Sequence, residues 1–172
     1  VERQGGHPAE RTITEAQDHT VMRIGMPDGS HLQLDTLILD INGTLTRDGK
    51  LLAGVQSRLA ELRRRLRVRL VTRDTLGSGS EVARELGVEI DTVSDEDKMT
   101  VIESLGPETA VMVGNGNSDV EALRRCRVGI AVIGPEGCST QALLAADNVV
   151  AAITDALDLL LTPVRLVSTL RR

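Results

Sequence analysis

The sequence predicts a Rossmann-like, three-layer α/β/α fold with a mainly parallel sheet, preceded by an N-terminal β-hairpin. Three observations lead there. Short apolar runs recur from residue 36 onward, and strands buried on both faces read in this way. Segments between them carry apolar residues at helical spacing, as Val55, Leu59, Leu62 and Leu66 do. The two kinds alternate to the end of the chain, which is the pattern of a parallel sheet covered on both sides.

In order, residues 1–21 are polar and aperiodic and read as a disordered leader, so the folded domain is expected over 22–172. Met22, Ile24 and Met26, then Leu32 and Leu34, alternate around Pro27-Asp28-Gly29, which is a hairpin signal. Thr36–Asp40 is a buried strand. A second hairpin centres on Asp48-Gly49, and the first helix follows. Further strands are expected at Val68–Thr72, Val88–Val93, Ala110–Val113, Val128–Ile133 and Asn148–Ala151. Helices are expected near 78–86, 96–105, 117–125, 138–146 and 153–161. Thr162-Pro163 breaks the last of these, and a short docking helix closes the chain.

Composition narrows the function. The 172 residues are 41% hydrophobic and 26% charged, an ordinary globular balance, yet contain no Phe, Trp or Tyr. The core must be aliphatic, and the absence of rings weakens any reading that needs stacking platforms, such as single-strand nucleic-acid binding. A net charge of −5 gives no global field that attracts nucleic acid or anionic membrane. The run Arg63, Arg64, Arg65, Arg67, Arg69 reads as the wet face of a helix leading into a strand. No apolar stretch approaches a membrane span, and no signal-peptide core is present, so a cytoplasmic location is expected. Cys126 and Cys138 match no metal or redox spacing and read as small buried fillers. His7, His19 and His31 all precede the α/β pattern, which sets aside histidine triads and His-rich metal sites.

Parallel sheets bind ligands beyond the carboxyl ends of their strands, so chemistry is sought there. After the first parallel strand stands Asp40-Ile41-Asn42-Gly43-Thr44-Leu45-Thr46. A carboxylate at that place is costly unless paired, metal-bound or wet, and Gly43 allows a turn whose amides face an anion. Thr72-Arg73-Asp74 follows the second strand, where the Thr72 hydroxyl can donate to the same anion; Asp74 is open to functional and turn-capping readings alike. Lys98 begins a helix, and Gly114-Asn115-Gly116-Asn117-Ser118-Asp119 opens another. Only Lys50 and Lys98 are lysines among twenty basic residues, which hints that a compact ammonium is wanted at one of them. Carboxylate, hydroxyl, ammonium and second carboxylate are the parts that phosphoryl transfer with Mg²⁺ requires. The loop Gly134-Pro135-Glu136-Gly137 reads as a strand-to-helix connection whose glycines serve geometry.

In this order the residues resemble the four motifs of the haloacid dehalogenase superfamily. Leu37–Thr46 resembles its first motif, written DxDGT(L/V)T; Thr72, Lys98 and Gly114–Asp119 match the second, third and fourth. Thr72-Arg73-Asp74 and Gly114–Leu123 are also similar to segments of P-type ATPase phosphorylation domains and of their small soluble, capless relatives. The resemblance implies an HAD-like fold and an aspartyl-phosphate on Asp40. It implies catalytic roles for Asp40, Asn42, Thr72 and Lys98, phosphate contacts from Gly43, Thr72, Arg73 and Lys98, and Mg²⁺ at Asp40, Asn42, Asn115 and Asp119. Thr44, Asp74, Asn117 and Ser118 would support these.

Two positions depart from the pattern. Asn42 and Asn115 are amides where the superfamily carries aspartates. An amide neither protonates a leaving group nor activates water, so hydrolysis is expected to be slow. The alternative is a non-catalytic phosphate- or Mg²⁺-binding module, or a regulatory protein. Expected partners are a small phosphorylated molecule or a phosphorylated macromolecule. No nucleic acid and no membrane is expected. A dimer or tetramer is expected, because the intervals between motifs leave no space for a cap and the N-terminal hairpin needs something to pack on.

Overall fold

The computed structural model describes residues 21–74, 76–94 and 98–170. The leader expected over 1–21 lies, apart from Val21, outside the described residues.

The chain opens with the hairpin β1 (Met22–Gly25) and β2 (His31–Leu34), antiparallel with Met22 opposite Leu34 and Ile24 opposite Leu32. Its tip is shaped by Asp28, whose carboxylate accepts from the backbone N–H and the hydroxyl of Ser30. Alternation puts Met22, Ile24, Leu32 and Leu34 on one face, and all four are buried in the chain's own core. The hairpin therefore finds its packing surface within the chain.

The central sheet comprises β3 (Thr36–Leu39), β6 (Arg67–Thr72), β7 (Glu89–Thr92), β8 (Ala110–Gly114), β9 (Val128–Val132) and β10 (Asn148–Val150). Its order is β10-β9-β8-β3-β6-β7, parallel throughout. The short strands β4 (Thr46–Arg47) and β5 (Lys50–Leu51) form a separate hairpin around Asp48-Gly49. Helices are α1 (Val55–Leu62), α2 (Gly79–Leu86), α3 (Lys98–Ser104), α4 (Val120–Arg125), α5 (Thr140–Ala145), α6 (Ile153–Leu161) and α7 (Pro163–Leu170).

Side-chain alternation along the strands builds two cores. Leu37, Leu39, Val111, Val113 and Ile130 face the hairpin, α1, α2, α6 and α7; Ile38, Val71 and Met112 face α3, α4 and α5. This is the expected three-layer arrangement. Packing is close without rings: a Cβ added at Gly129 would overlap the Leu123 carbonyl, so β9 and α4 meet backbone to backbone. The chain runs from β3 outward through β6 to β7, then returns to β8 on the other side. The order reverses between β3 and β8, the crevice where such sheets bind ligands.

Several local differences have physical reasons. The helix expected from 117 begins as a 3-10 turn, Asn117–Asp119, because Asp119 turns its side chain back onto preceding amides. The helix expected from 138 starts at Thr140, where the Ser139 hydroxyl accepts from Ala142 N and caps it. The arginine run divides. Arg64 and Arg65 are exposed in the turn after α1, whereas Arg69 crosses to Glu89 and Asp91 on β7. Leu66 also lies past the end of α1, yet its amide bonds the Leu62 carbonyl and its side chain stays buried.

The closing helix α7 docks through Leu166, which is fully buried, and through a hydrogen bond from Asn148 Nδ2 to Thr169 Oγ1 at 2.6 Å. It contacts α6 and β1, so it covers the hairpin. Leu166→Ala should therefore destabilise the domain by about 2–5 kcal/mol, read from the urea unfolding midpoint at unchanged slope.

Candidate active site

Asp40 continues the β3 ladder by one bond, its N–H donating to the Val113 carbonyl at 3.0 Å. The chain then turns abruptly. Thr44, Leu45 and Thr46 all direct their amides at the Ile41 carbonyl, at 3.1, 2.9 and 3.1 Å, and Thr46 Oγ1 adds a fourth bond at 3.2 Å. Gly43 has φ +75°, and a Cβ there would overlap Asn115 Nδ2. This is one position where glycine is required on both counts. Inside the turn, Asn42 Oδ1 is buried without a hydrogen-bond partner.

Three of the predicted residues meet directly. Lys98 Nζ lies 2.6 Å from Asp119 Oδ1 and 3.4 Å from Asp40 Oδ1. Lys98 is 3% exposed, Asp40 7% and Asp119 0%. The other Asp119 oxygen accepts from the backbone N–H of Asn115 (3.0 Å) and Gly116 (2.9 Å). Gly114 must lack a side chain, because a Cβ would sit 2.5 Å from the Asp119 carboxylate.

The electrostatics follow from this trio. Two buried carboxylates share one ammonium, which leaves a formal charge of −1 in a desolvated place. Burial, reinforced by the Asp119 charge, raises the Asp40 pKa to about 7 against the opposing pull of Lys98. Burial works against the Lys98 ammonium, yet Asp119 and Asp40 together carry its pKa above the ordinary lysine value. Among the described residues no three His, Cys, Asp or Glu side chains gather as a metal cluster. A cation here would be held by two carboxylates together with neutral oxygens. That donor set, with an unpartnered amide oxygen and uncompensated negative charge, fits a hard ion such as Mg²⁺.

Thr72 ends β6, the strand beside β3, and is 1% exposed. Its Oγ1 accepts from Asp74 N at 3.1 Å, so its own proton is left to donate. It shares the sheet edge with Asp40 but makes no hydrogen bond to Asp40, Lys98 or Asp119. Arg73 is exposed. Asp74, at φ +49°, accepts from Gly79 N at 2.7 Å, so its carboxylate serves the start of α2. Asn117 is exposed and Ser118 half-buried, in a groove that also includes Lys98, Met99, Arg124 and Gln141.

Asn115 is tied on three sides. Its Oδ1 accepts from Thr44 Oγ1 at 3.2 Å, its Nδ2 donates to the Gly137 carbonyl at 3.0 Å, and its carbonyl accepts from Ser139 N at 2.8 Å. The side chain joins the Gly43 turn to the loop after β9, and an aspartate could not make the Gly137 bond. That loop holds the one residue sequence reasoning passed over. Glu136 Oε1 accepts from Asp48 N at 2.7 Å, across to the β4–β5 hairpin. Its position just beyond a parallel strand was the available signal.

No family model matches the chain. Two curated proteins are similar to it. The uncharacterized protein MJ0073 of Methanocaldococcus jannaschii is 42% identical over 78 residues, 43% of this chain and 84% of that protein. The potassium-transporting ATPase ATP-binding subunit of Synechocystis is 35% identical over 102 residues, 56% of this chain and 14% of that subunit. Among solved structures, a Streptomyces avermitilis protein assigned to the HAD family of hydrolases superposes with TM-score 0.58 at 21% identity, over 72% of this chain and 86% of its own. The 3-deoxy-D-manno-octulosonate 8-phosphate phosphatase of Moraxella catarrhalis, solved with magnesium and phosphate ions, gives 0.59 at 20% identity, over 75% and 86%. A zinc-transporting P-type ATPase gives 0.55 at 29% identity, over 70% of this chain and 20% of the pump. The fold is thus that of the HAD hydrolases, and of each pump the chain spans only a small part.

The Asp40 shift carries a test. Its folded pKa stands above the unfolded carboxylate value near ~3.9, so between the two the folded state holds the extra proton. Metal-free protein should lose stability as pH rises from about 4 through 7, by at most a few kcal/mol. Urea titrations in EDTA at pH 5 and pH 8 measure this, and in Asp40→Asn the drop should shrink.

Proposed function

Because the chain belongs to the family of M. jannaschii MJ0073 and has the haloacid dehalogenase fold, we propose that it is a Mg²⁺-dependent phosphoryl-transfer hydrolase working through an aspartyl-phosphate on Asp40. The observation that carries this reading is the meeting of Asp40, Lys98 and Asp119 at the carboxyl edge of β3 and β8. In it the enzyme is a capless, soluble relative of the P-type ATPase phosphorylation domain.

The roles follow from chemistry. An Asp40 oxygen attacks phosphorus, a P–O bond forms to the carboxylate, and the bond to the leaving group breaks. The leaving oxygen takes its proton from solvent, since the Asn42 amide has none to give. Lys98 offsets charge on Asp40 and on the transferring group, the Thr72 hydroxyl and the Gly43 turn donate to its oxygens, and Arg73 meets it at the rim. Bound Mg²⁺ would neutralise charge on the phosphoryl group, held by Asp40, Asp119 and oxygens of Asn42; Asn115 is the weaker ligand, its amide being shared with Thr44 and Gly137. Thr44, Asn117 and Ser118 support the turn and the Asp119 segment, while Asp74 supports α2. The Moraxella phosphatase and its sugar-acid phosphate favour a small phosphorylated molecule as substrate. A cytoplasmic location fits, and among the described residues no helix is long and apolar enough to cross a membrane.

The tied amide of Asn115 favours a second reading, a phosphate- or Mg²⁺-responsive module without turnover. Incubation with acetyl phosphate and Mg²⁺, followed by intact-mass analysis, separates the two. The enzyme should gain one hydroxylamine-labile phosphoryl group, absent in Asp40→Asn; a module would bind beryllofluoride and gain none. Asn42→Asp should raise steady-state hydrolysis of p-nitrophenyl phosphate about 10²–10⁴-fold by supplying an acid–base group. An unchanged rate in the folded variant would sink that explanation of slow turnover.

A further inference from the structure

We propose that Glu136 is a positioning residue of the phosphoryl-transfer site, whose carboxylate fastens the tip of the β4–β5 hairpin to the loop after β9, the loop that packs on the phosphate-binding turn at Gly43. The role rests on reading Asp40 as the phosphoryl acceptor; the contacts stand by themselves.

The hairpin has two residues per strand, too few to hold a fixed place unaided. Its base is secured: Thr46 is buried and bonded to the Ile41 carbonyl, and Leu52 N donates to the Leu45 carbonyl. Its tip is Asp48-Gly49, both left-handed at φ +50° and +75°. The Asp48 N–H at this tip finds its acceptor in Glu136 Oε1 at 2.7 Å.

The second oxygen of the same carboxylate lies close to the turn. A Cβ built on Gly43 would lie 3.2 Å from Glu136 Oε2. Beneath it the two loops touch backbone to backbone, since a Cβ on Gly134, at φ +60°, would stand 2.8 Å from the Gly43 carbonyl. Asn115 Nδ2 holds Gly137, the next residue after Glu136, from below. Glu136 is thus carried by a loop fastened to the Gly43 turn and bonds the tip of the hairpin. A carboxylate suits this, because it accepts an N–H bond strongly. It is ill suited to bind phosphate itself, being an anion beside the anion's place. Its contribution is to fix the hairpin wall beside the Gly43 turn before substrate arrives.

Glu136→Ala and Glu136→Gln provide the test, in full-length chain with Mg²⁺ and acetyl phosphate. Glu136 is exposed, so both variants should fold, which far-UV circular dichroism checks. Glu136→Ala should slow phosphoenzyme formation about 10–100-fold, as sub-ångström misplacement does, and should speed amide exchange at Asp48 by about tenfold or more. Glu136→Gln keeps an acceptor and should restore both. Unchanged Asp48 exchange in Glu136→Ala overturns the latch. A Glu136→Gln as slow as Glu136→Ala overturns positioning, because the charge itself would then be needed. If wild type forms no phosphoenzyme, the Asp40 reading fails and this role with it, whereas exchange still reports whether Glu136 holds the hairpin.

Discussion

Two carboxylates and one ammonium, all buried, are the constraint on which the site depends. Charge of one sign in excess is expensive away from water, and only the geometry around the trio keeps it there. Asp119 is held by two backbone amides and Lys98; Asp40 is held by the β3 ladder and the same lysine. Gly114 and Gly43 then give up side chains so that the carboxylate and the turn can approach their neighbours. A fold without ligand chemistry would gain by replacing the trio with aliphatic residues, as the rest of the core shows. The trio are the charged side chains buried among the described residues, and that is what makes the site legible as chemistry.

Much of the architecture was readable because each layer depends on local pattern. The alternation of Leu37 and Leu39 against Ile38 determines which core each enters, and period alone reveals it. The hairpin at 22–34 was readable as a hairpin, but not its partner. Its cover is α7, more than a hundred residues away, and α7 carries only one fully buried leucine to signal docking. Arg69 was misread as wet because its position on β6, opposite Glu89 and diagonal to Asp91, depends on strand register rather than on neighbours in sequence.

The site divides in the same way. Asp40, Lys98 and Asp119 were singled out from strand ends and residue types, and the structure brings the three together. Thr72 stands at the same edge, though the hydrogen bond it makes is to Asp74 N. The capping use of Asp74 was undecidable from spacing, since an acid two residues after a strand serves either purpose. Asn115 looked like a simple loss of charge, yet its amide uses both ends, a property that only the surrounding carbonyl and hydroxyl reveal. Glu136 went unseen because its partner is 88 positions away in the chain.

Those separations bear on how the molecule comes into being. The Lys98–Asp40 contact spans 58 positions and the Thr44–Asn115 contact 71, so neither can close until most of the polypeptide exists. Parallel pairing over such distances is slow, and loop-closure entropy is met before any contact rewards it. The strand that leads into Asp40 has β6 on one edge and β8 on the other, so its second partner is more than seventy residues further along the chain. The cluster of Asp40, Lys98 and Asp119 is accordingly among the last parts of the fold to consolidate.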